Sequence, residues 1–264
     1  MKILENLLPI CQETETETSN LMWLSGQPCG LHMFNLKSRR KTTHEIMIPK
    51  IELEQSSCDC LLPDNKIFCS GSFEWKTIEH IYFIINEDYS VKILPSQVIY
   101  MGCSATYYNN YVYICGDATV IRFDLINWRW EQLARLSVWS YSHTCVPFNG
   151  MILISGIDFR DIFMLDLLSL SLSSCQLRLE TNWTKILFKW ENSAYLVDFS
   201  GKIYKSDNGN PFNWNFIGNC NPLKRCIYGH KAFYKDSLYF YAGLFLLKFD
   251  PNKKNLEKID LPFD

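Results

Sequence analysis

The residue types best suited to chemistry in this chain are pairs of soft ligands. One residue separates Cys58 from Cys60, and one separates His143 from Cys145. Thiolate and imidazole are the usual ligands of zinc. Structural zinc sites, however, space the first cysteine pair by two to four residues and require a second pair. Neither pair here has such a companion, and His32, His44 and His80 stand alone. There is no phosphate-binding glycine loop, no G-x-G-x-x-G and no G-x-S-x-G. These residues therefore predict no catalytic set, no metal and no cofactor.

The elements that carry the pairs explain them. Five segments align without gaps: Cys58–Gly71, Cys103–Gly116, His143–Gly156, Lys185–Asp198 and His230–Gly243. Their starts lie 45, 40, 42 and 45 residues apart, a period typical of propeller blades. Each reads as an apolar strand, a polar turn and a second apolar strand. The turn pairs are Asp64-Asn65, Asn109-Asn110, Asn149-Gly150, Glu191-Asn192 and Asp236-Ser237. Asn and Gly tolerate the positive φ that a tight hairpin needs. The Cys and His pairs thus occupy one repeated column in the first strand, near the expected propeller axis, and read as packing positions.

A second hairpin follows in each unit. An apolar residue and then a polar one mark its turn: Phe34-Asn35, Ile85-Asn86, Phe123-Asp124, Leu165-Asp166, Tyr204-Lys205 and Phe249-Asp250. Outer strands follow at Trp130–Leu133, Leu172–Leu177 and Leu256–Ile259. At the N-terminal end, strands are expected around Leu21–Leu24, Leu31–Leu36 and His44–Ile48, without a leading hairpin strand. The reading is an all-β chain, an approximately six-bladed β-propeller of four-stranded antiparallel blades. Residues 1–264 form one domain, with residues 1–20 a mobile N-terminal segment containing the acidic run Glu13–Thr18.

The pattern resembles the kelch family. His143, Asn149-Gly150, Gly156 and Leu165-Asp166 follow the kelch order. So do Tyr113, Gly116, Phe123-Asp124 and Trp130, with Trp130 six residues after Asp124. The chain departs from the family in having no Gly-Gly doublet. The fourth segment has Asp198 where the others end in Gly, and the Trp column holds Leu172 and Leu256. The resemblance implies a propeller and, through its loops, binding of proteins or peptides. Ser206-Asp207-Asn208-Gly209 with Trp214 is a distant likeness of the sialidase Asp-box. Its spacing is wrong, and a blade turn is due at that point.

The bulk composition narrows the function classes. The formal charge is −2, the apolar fraction 47% and the aromatic fraction 15%, so a large sheet-rich core is expected. No overall basic excess favours nucleic acid. The run Lys37-Ser38-Arg39-Arg40-Lys41 reads as a solvated turn. Eleven cysteines, an odd number, lie mostly in apolar runs, which fits free thiols in a reducing compartment. With no apolar signal core and no membrane-length run, a cytoplasmic monomer with no membrane partner is expected.

Binding residues collect on propeller loops, and Trp, Tyr and Arg dominate interface hot spots. The expected contacts with a protein or peptide partner are therefore Trp75, Trp139, Tyr141, Phe159, Arg160, Arg225 and Tyr228. The alternative is a propeller-type enzyme acting on a sugar or glycan in the central channel, which would need converging Arg and carboxylate side chains.

Overall fold

The computed structural model describes residues 20–25, 30–46, 58–72, 80–97, 103–140, 144–177, 179, 185–198, 200–220, 231–241 and 245–260. Every regular element among them is a strand. The first sheet is β1 (Asn20–Ser25), β2 (Gly30–Asn35) and β3 (Arg40–Glu45). The second is β4 (Asp59–Leu61), β5 (Ile67–Ser72), β6 (His80–Ile85) and β7 (Val91–Ile93). The third is β8 (Ser104–Tyr108), β9 (Tyr111–Asp124) and β10 (Arg129–Ser140). The fourth is β11 (Thr144–Phe148), β12 (Met151–Ser155), β13 (Ile162–Asp166) and β14 (Leu172–Cys175). The fifth is β15 (Lys185–Trp190), β16 (Ser193–Asp198), β17 (Lys202–Asp207) and β18 (Asn210–Asn219). The sixth is β19 (Lys231–Tyr234), β20 (Ser237–Tyr241), β21 (Phe245–Asp250) and β22 (Asn255–Asp260). All are antiparallel meanders of neighbouring strands.

Together they make a β-propeller arrangement. Each of the five sheets from β4 to β22 is built on one of the five repeat hairpins. The third sheet pairs as three strands, but β9 doubles back. Its following residue, Leu125, donates its N–H to the carbonyl of Asn110 at 3.0 Å. A straight strand of that length would hold those ends roughly 45 Å apart. The reversal lies near Asp117, whose φ is +51°, and Thr119 Oγ1 there donates to the Gly116 carbonyl at 3.2 Å. Among the described residues the complete blades therefore number five, where about six were expected. The remaining sheet, β1–β3, has three strands among those residues.

Apolar clusters join successive sheets. Within β12, Ile152 and Ile154 pack toward the third sheet with Tyr113, Cys115 and Val120. Their neighbour Leu153 packs the opposite way, with Leu187, Ala194 and Leu196 of the fifth. This is the two-residue alternation of a strand, with both faces buried because each sheet stands between two others. The β1–β3 sheet is similarly enclosed. Leu31 and Ile46 pack with Ile67 and Phe83, while Phe34 and Leu36 pack with Tyr239 and Leu246.

The turns explain the hairpins and correct three details. Asn109-Asn110 and Asn149-Gly150 have positive φ at both residues, as a type I′ turn needs. In the last blade the turn is Lys235-Asp236, one residue earlier than expected, because Tyr234 pairs with Ser237. In the second sheet Leu61 pairs with Ile67, so Asp64 and Asn65 sit in a longer loop. In the fifth blade the second turn is Asn208-Gly209 between the paired Asp207 and Asn210, not a turn starting at Lys205.

The second turns share one device. The side-chain oxygen Oδ1 of Asn35, Asp124, Asp166 and Asp250 accepts N–H bonds from the residues two and three positions on. Four positions on, Arg39, Trp128, Leu170 and Lys254 have φ between +51° and +58°. Hydrogen bonding holds the carboxyls of Asp124 and Asp166 below the ordinary carboxylate range, led by the Asn127 side chain and the Ser169 N–H respectively.

Candidate functional site

The expected contact residues divide. Trp75, Tyr141, Arg225 and Tyr228 lie outside the described residues. Trp139 was expected in a loop between blades; its backbone is the penultimate residue of β10, and Ser140 beside it pairs with Asp117. Phe159 is a correction: it is only 1% exposed and belongs to the core. Its ring meets Phe163 edge-on at 4.8 Å between centroids and packs with Cys145 and Ile154. A residue so buried anchors its loop and presents no surface to a partner.

The neighbouring Arg160 is exposed. It lies on the β12–β13 connection, between a Phe159 ring sunk in the core and Asp161, the residue before β13. Its carbonyl accepts the Leu179 N–H at 2.8 Å, and the Phe159 N–H bonds to the Gly156 carbonyl at 3.2 Å. A guanidinium is thus displayed on a short, pinned loop.

The same loop is held from the next blade by Lys185. Its ammonium is buried, 2% exposed, and Nζ donates to the carbonyls of Gly156 and Ile157 at 2.9 Å each. Lys185 pairs directly across the strands with Asp198, whose residue is 3% exposed. Asp198 Oδ1 accepts from Ser200 Oγ at 2.7 Å and from the Lys202 N–H at 2.9 Å. Burial pulls the ammonium down to about 8, while the charges of Asp198 and Asp158 oppose the fall. Sequence reasoning missed this pair, although a signal was there. The fourth repeat segment departs from two columns at once, carrying Lys where others start with Cys or His and Asp where others end in Gly. The hairpin register places those two departures opposite each other.

In the second and third sheets the Lys185 column holds Cys58 and Cys103, and hydroxyls and a further thiol stand beside it in the second to fourth sheets. Cys58 Sγ lies 3.1 Å from Ser70 Oγ, which lies 3.7 Å from Cys103 Sγ. Cys145 Sγ donates to the Ser104 carbonyl at 3.5 Å, and its N–H bonds to Ser104 Oγ at 3.2 Å. Burial raises the thiols of Cys58 and Cys115, whereas a hydrogen bond from Cys58 lowers that of Cys103. Among the described residues, no group of three or more His, Cys, Asp and Glu has the arrangement of a metal site. Eight cysteines there are free thiols.

Trp130, six residues after Asp124, is a wedge between blades. Its ring sits 4.7 Å from both Tyr82 of the second sheet and Phe123 of its own, and Nε1 donates to the Pro95 carbonyl at 2.8 Å. Leu172 and Leu256 fill the same column and likewise pack toward the preceding blade. The segment resembling an Asp-box is a hairpin turn, with Gly209 at φ +73° and Asn215 Nδ2 donating to Asp207 Oδ1 at 2.6 Å. Among the described residues, no helix is long and apolar enough to cross a membrane. The chain matches no protein-family model, and no curated protein is similar to it.

Proposed function

We propose that this chain is a kelch-like propeller acting as a non-catalytic protein-interaction module, with its contacts on the face that carries the β12–β13 loop. The propeller fold is often an interaction module, and the family likeness rests on the repeat columns described above. The observation that carries the reading is Arg160, an exposed guanidinium whose loop is fixed before any partner arrives. Phe159 anchors it from within the blade, and Lys185 anchors it from the next. A pre-ordered loop loses little conformational entropy on binding, and Arg is enriched among hot-spot residues.

The three-stranded sheet β1–β3 packs against both the last blade and the first. The free thiols support a reducing, cytoplasmic setting. Trp75, Trp139, Tyr141, Arg225 and Tyr228 remain proposed neighbours of Arg160 at the same face.

Affinity capture with the purified chain, read as stoichiometric co-elution, tests the proposal. Arg160→Glu should weaken the captured partner by about tenfold or more, the loss of one hot-spot residue. Arg129→Glu, an exposed charge on β10, should leave it unchanged. Equal capture by the wild-type chain and Arg160→Glu would remove Arg160 and its loop from the interface.

A further inference from the structure

The turn between β2 and β3 lies at the other end of the blades from Arg160. Each strand crosses its sheet once, so the β12–β13 loop and the turns that follow the third strand of each unit face opposite ways. In this turn Lys37, Ser38, Arg39, Arg40 and Lys41 are all exposed. None of the four cations makes an ion pair among the described residues. A fifth, Lys235, is exposed on the first turn of the neighbouring last blade, with Asp236 beside it.

The two turns are held together. Leu36 is 5% exposed and packs with Tyr234 and Tyr239 of the last blade. Lys235 Nζ lies 5.4 Å from the centre of the Tyr234 ring. Burial pushes the Tyr239 phenol up, and the nearby Arg39 charge pulls it back. The cationic turn is also rigid. Asn35 Oδ1 accepts the N–H of Lys37 at 3.1 Å and of Ser38 at 2.7 Å, and the Arg39 N–H bonds to the Asn35 carbonyl at 2.8 Å.

We propose that this sector, Lys37, Arg39, Arg40 and Lys41 with Lys235, docks an acidic peptide segment of a partner protein. It is a second surface, independent of the Arg160 loop. Charge complementarity carries the choice: Lys37, Arg39, Arg40 and Lys41 crowd one turn, with Lys235 nearby and Asp236 and Glu257 the acids beside them, in a chain whose net charge is −2. Two adjacent arginines can each take a carboxylate in the two-pronged geometry that lysine lacks, and the Ser38 and Thr42 hydroxyls stand beside them. Other polyanions fit less well. Non-specific nucleic-acid binding uses a longer cationic track with rings for base stacking. Here Tyr234 and Tyr239 are engaged with Leu36. A membrane surface favours apolar side chains beside the cations. None of the exposed large apolar residues among the described ones lies in β1–β3 or β19–β22.

The test is fluorescence anisotropy with the full chain and a labelled hexaglutamate peptide. Binding should weaken by about threefold or more between 50 and 200 mM salt, as screening of exposed charges requires. Arg39→Glu/Arg40→Glu should weaken it by about tenfold or more, since it reverses two of the five cations. Arg39→Ala/Arg40→Ala, a milder variant checked for a native circular dichroism spectrum, should show an intermediate loss. Arg129→Glu should change nothing. No binding by the wild-type chain, or equal loss with Arg129→Glu, would overturn the proposal. So would binding confined to oligo-dT or to phosphatidylserine vesicles assayed alongside. Because Arg160→Glu should leave hexaglutamate binding intact, failure here and failure of the Arg160 interface are separable.

Discussion

The second to fourth sheets and the fifth build the buried part of their first hairpins from opposite chemistry. In the former, Cys58, Ser70, Cys103, Ser104 and Cys145 are small and neutral and satisfy one another in short contacts. In the latter, Lys185 and Asp198 bring two formal charges into the interior. Neutral groups of this kind lose little by leaving water. Charges lose several kcal/mol each unless a partner and further hydrogen bonds replace the solvent. The fifth blade meets part of that demand: Lys185 takes two loop carbonyls and feels the Asp198 charge, and Asp198 Oδ1 takes Ser200 and the Lys202 N–H, while Asp198 Oδ2 has no hydrogen-bond partner among the described residues. The carbonyls belong to the fourth blade, so the charged solution also joins two blades, at the loop that displays Arg160. Charge at this position therefore goes with a fixed loop, and thiols with simple packing.

That contrast is broken most severely by removing one charge. Lys185→Met should cost about 3–5 kcal/mol in chemical denaturation, because Asp198 is left buried without its counter-charge. Lys185→Met/Asp198→Asn should recover at least half of that loss. A double variant no better than the single one would mean that the two groups are not coupled.

The next effect is in pH. The folded ammonium titrates near 8, and an unfolded lysine near about 10.4. Between these values the unfolded chain binds more protons, so the lysine's contribution to stability rises with pH. The wild-type chain should therefore gain on the Lys185→Met/Asp198→Asn variant across that window, by at most about 3 kcal/mol. The comparison with the variant matters because buried Cys58 and Tyr82, both shifted upward by burial, act in the opposite direction. Their folded forms keep protons that the unfolded chain releases. A flat or falling difference would show that Lys185 is not charged and buried as drawn.

The neutral columns should respond weakly. Cys145→Ala removes one buried sulfur and its contacts to Ser104, and should cost about 1–2 kcal/mol. A loss as large as that of Lys185→Met would erase the distinction between the two regions. Smallest of all, Leu170→Gly at the solvent end of the fourth blade relieves a left-handed backbone at φ +55°. It should change stability by no more than about 1 kcal/mol, in the stabilising direction, measured as a rise in Tm.

Much of the fold was legible before any coordinates. The five hairpins are local: alternating apolar residues and the Asn109-Asn110 and Asn149-Gly150 pairs specify strand, turn and return within fourteen residues. The second turns were legible for the same reason, since Asn35, Asp124, Asp166 and Asp250 bond to their own following N–H groups. Errors arose where local signals were ambiguous. Asp236-Ser237 and Lys235-Asp236 are equally polar, and only cross-strand pairing of Tyr234 with Ser237 chooses between them. The complete blades fell one short of the expected number because the N-terminal unit pairs as three strands, β1–β3, among the described residues.

The site was less legible. Phe159 and Arg160 are adjacent and both are typical of interfaces. Which one is buried depends on the direction of the chain as it leaves β12, and that is set by the Phe163 ring and the core around it. Lys185 and Asp198 are thirteen positions apart and could have been paired from the hairpin register alone. What no spacing could disclose is that the Lys185 ammonium reaches the carbonyls of Gly156 and Ile157 in a different blade. Residue order dictates what a hairpin can do, because its hydrogen bonds are local. Contacts between blades follow from how twisted sheets pack around an axis, and only the assembled ring decides them.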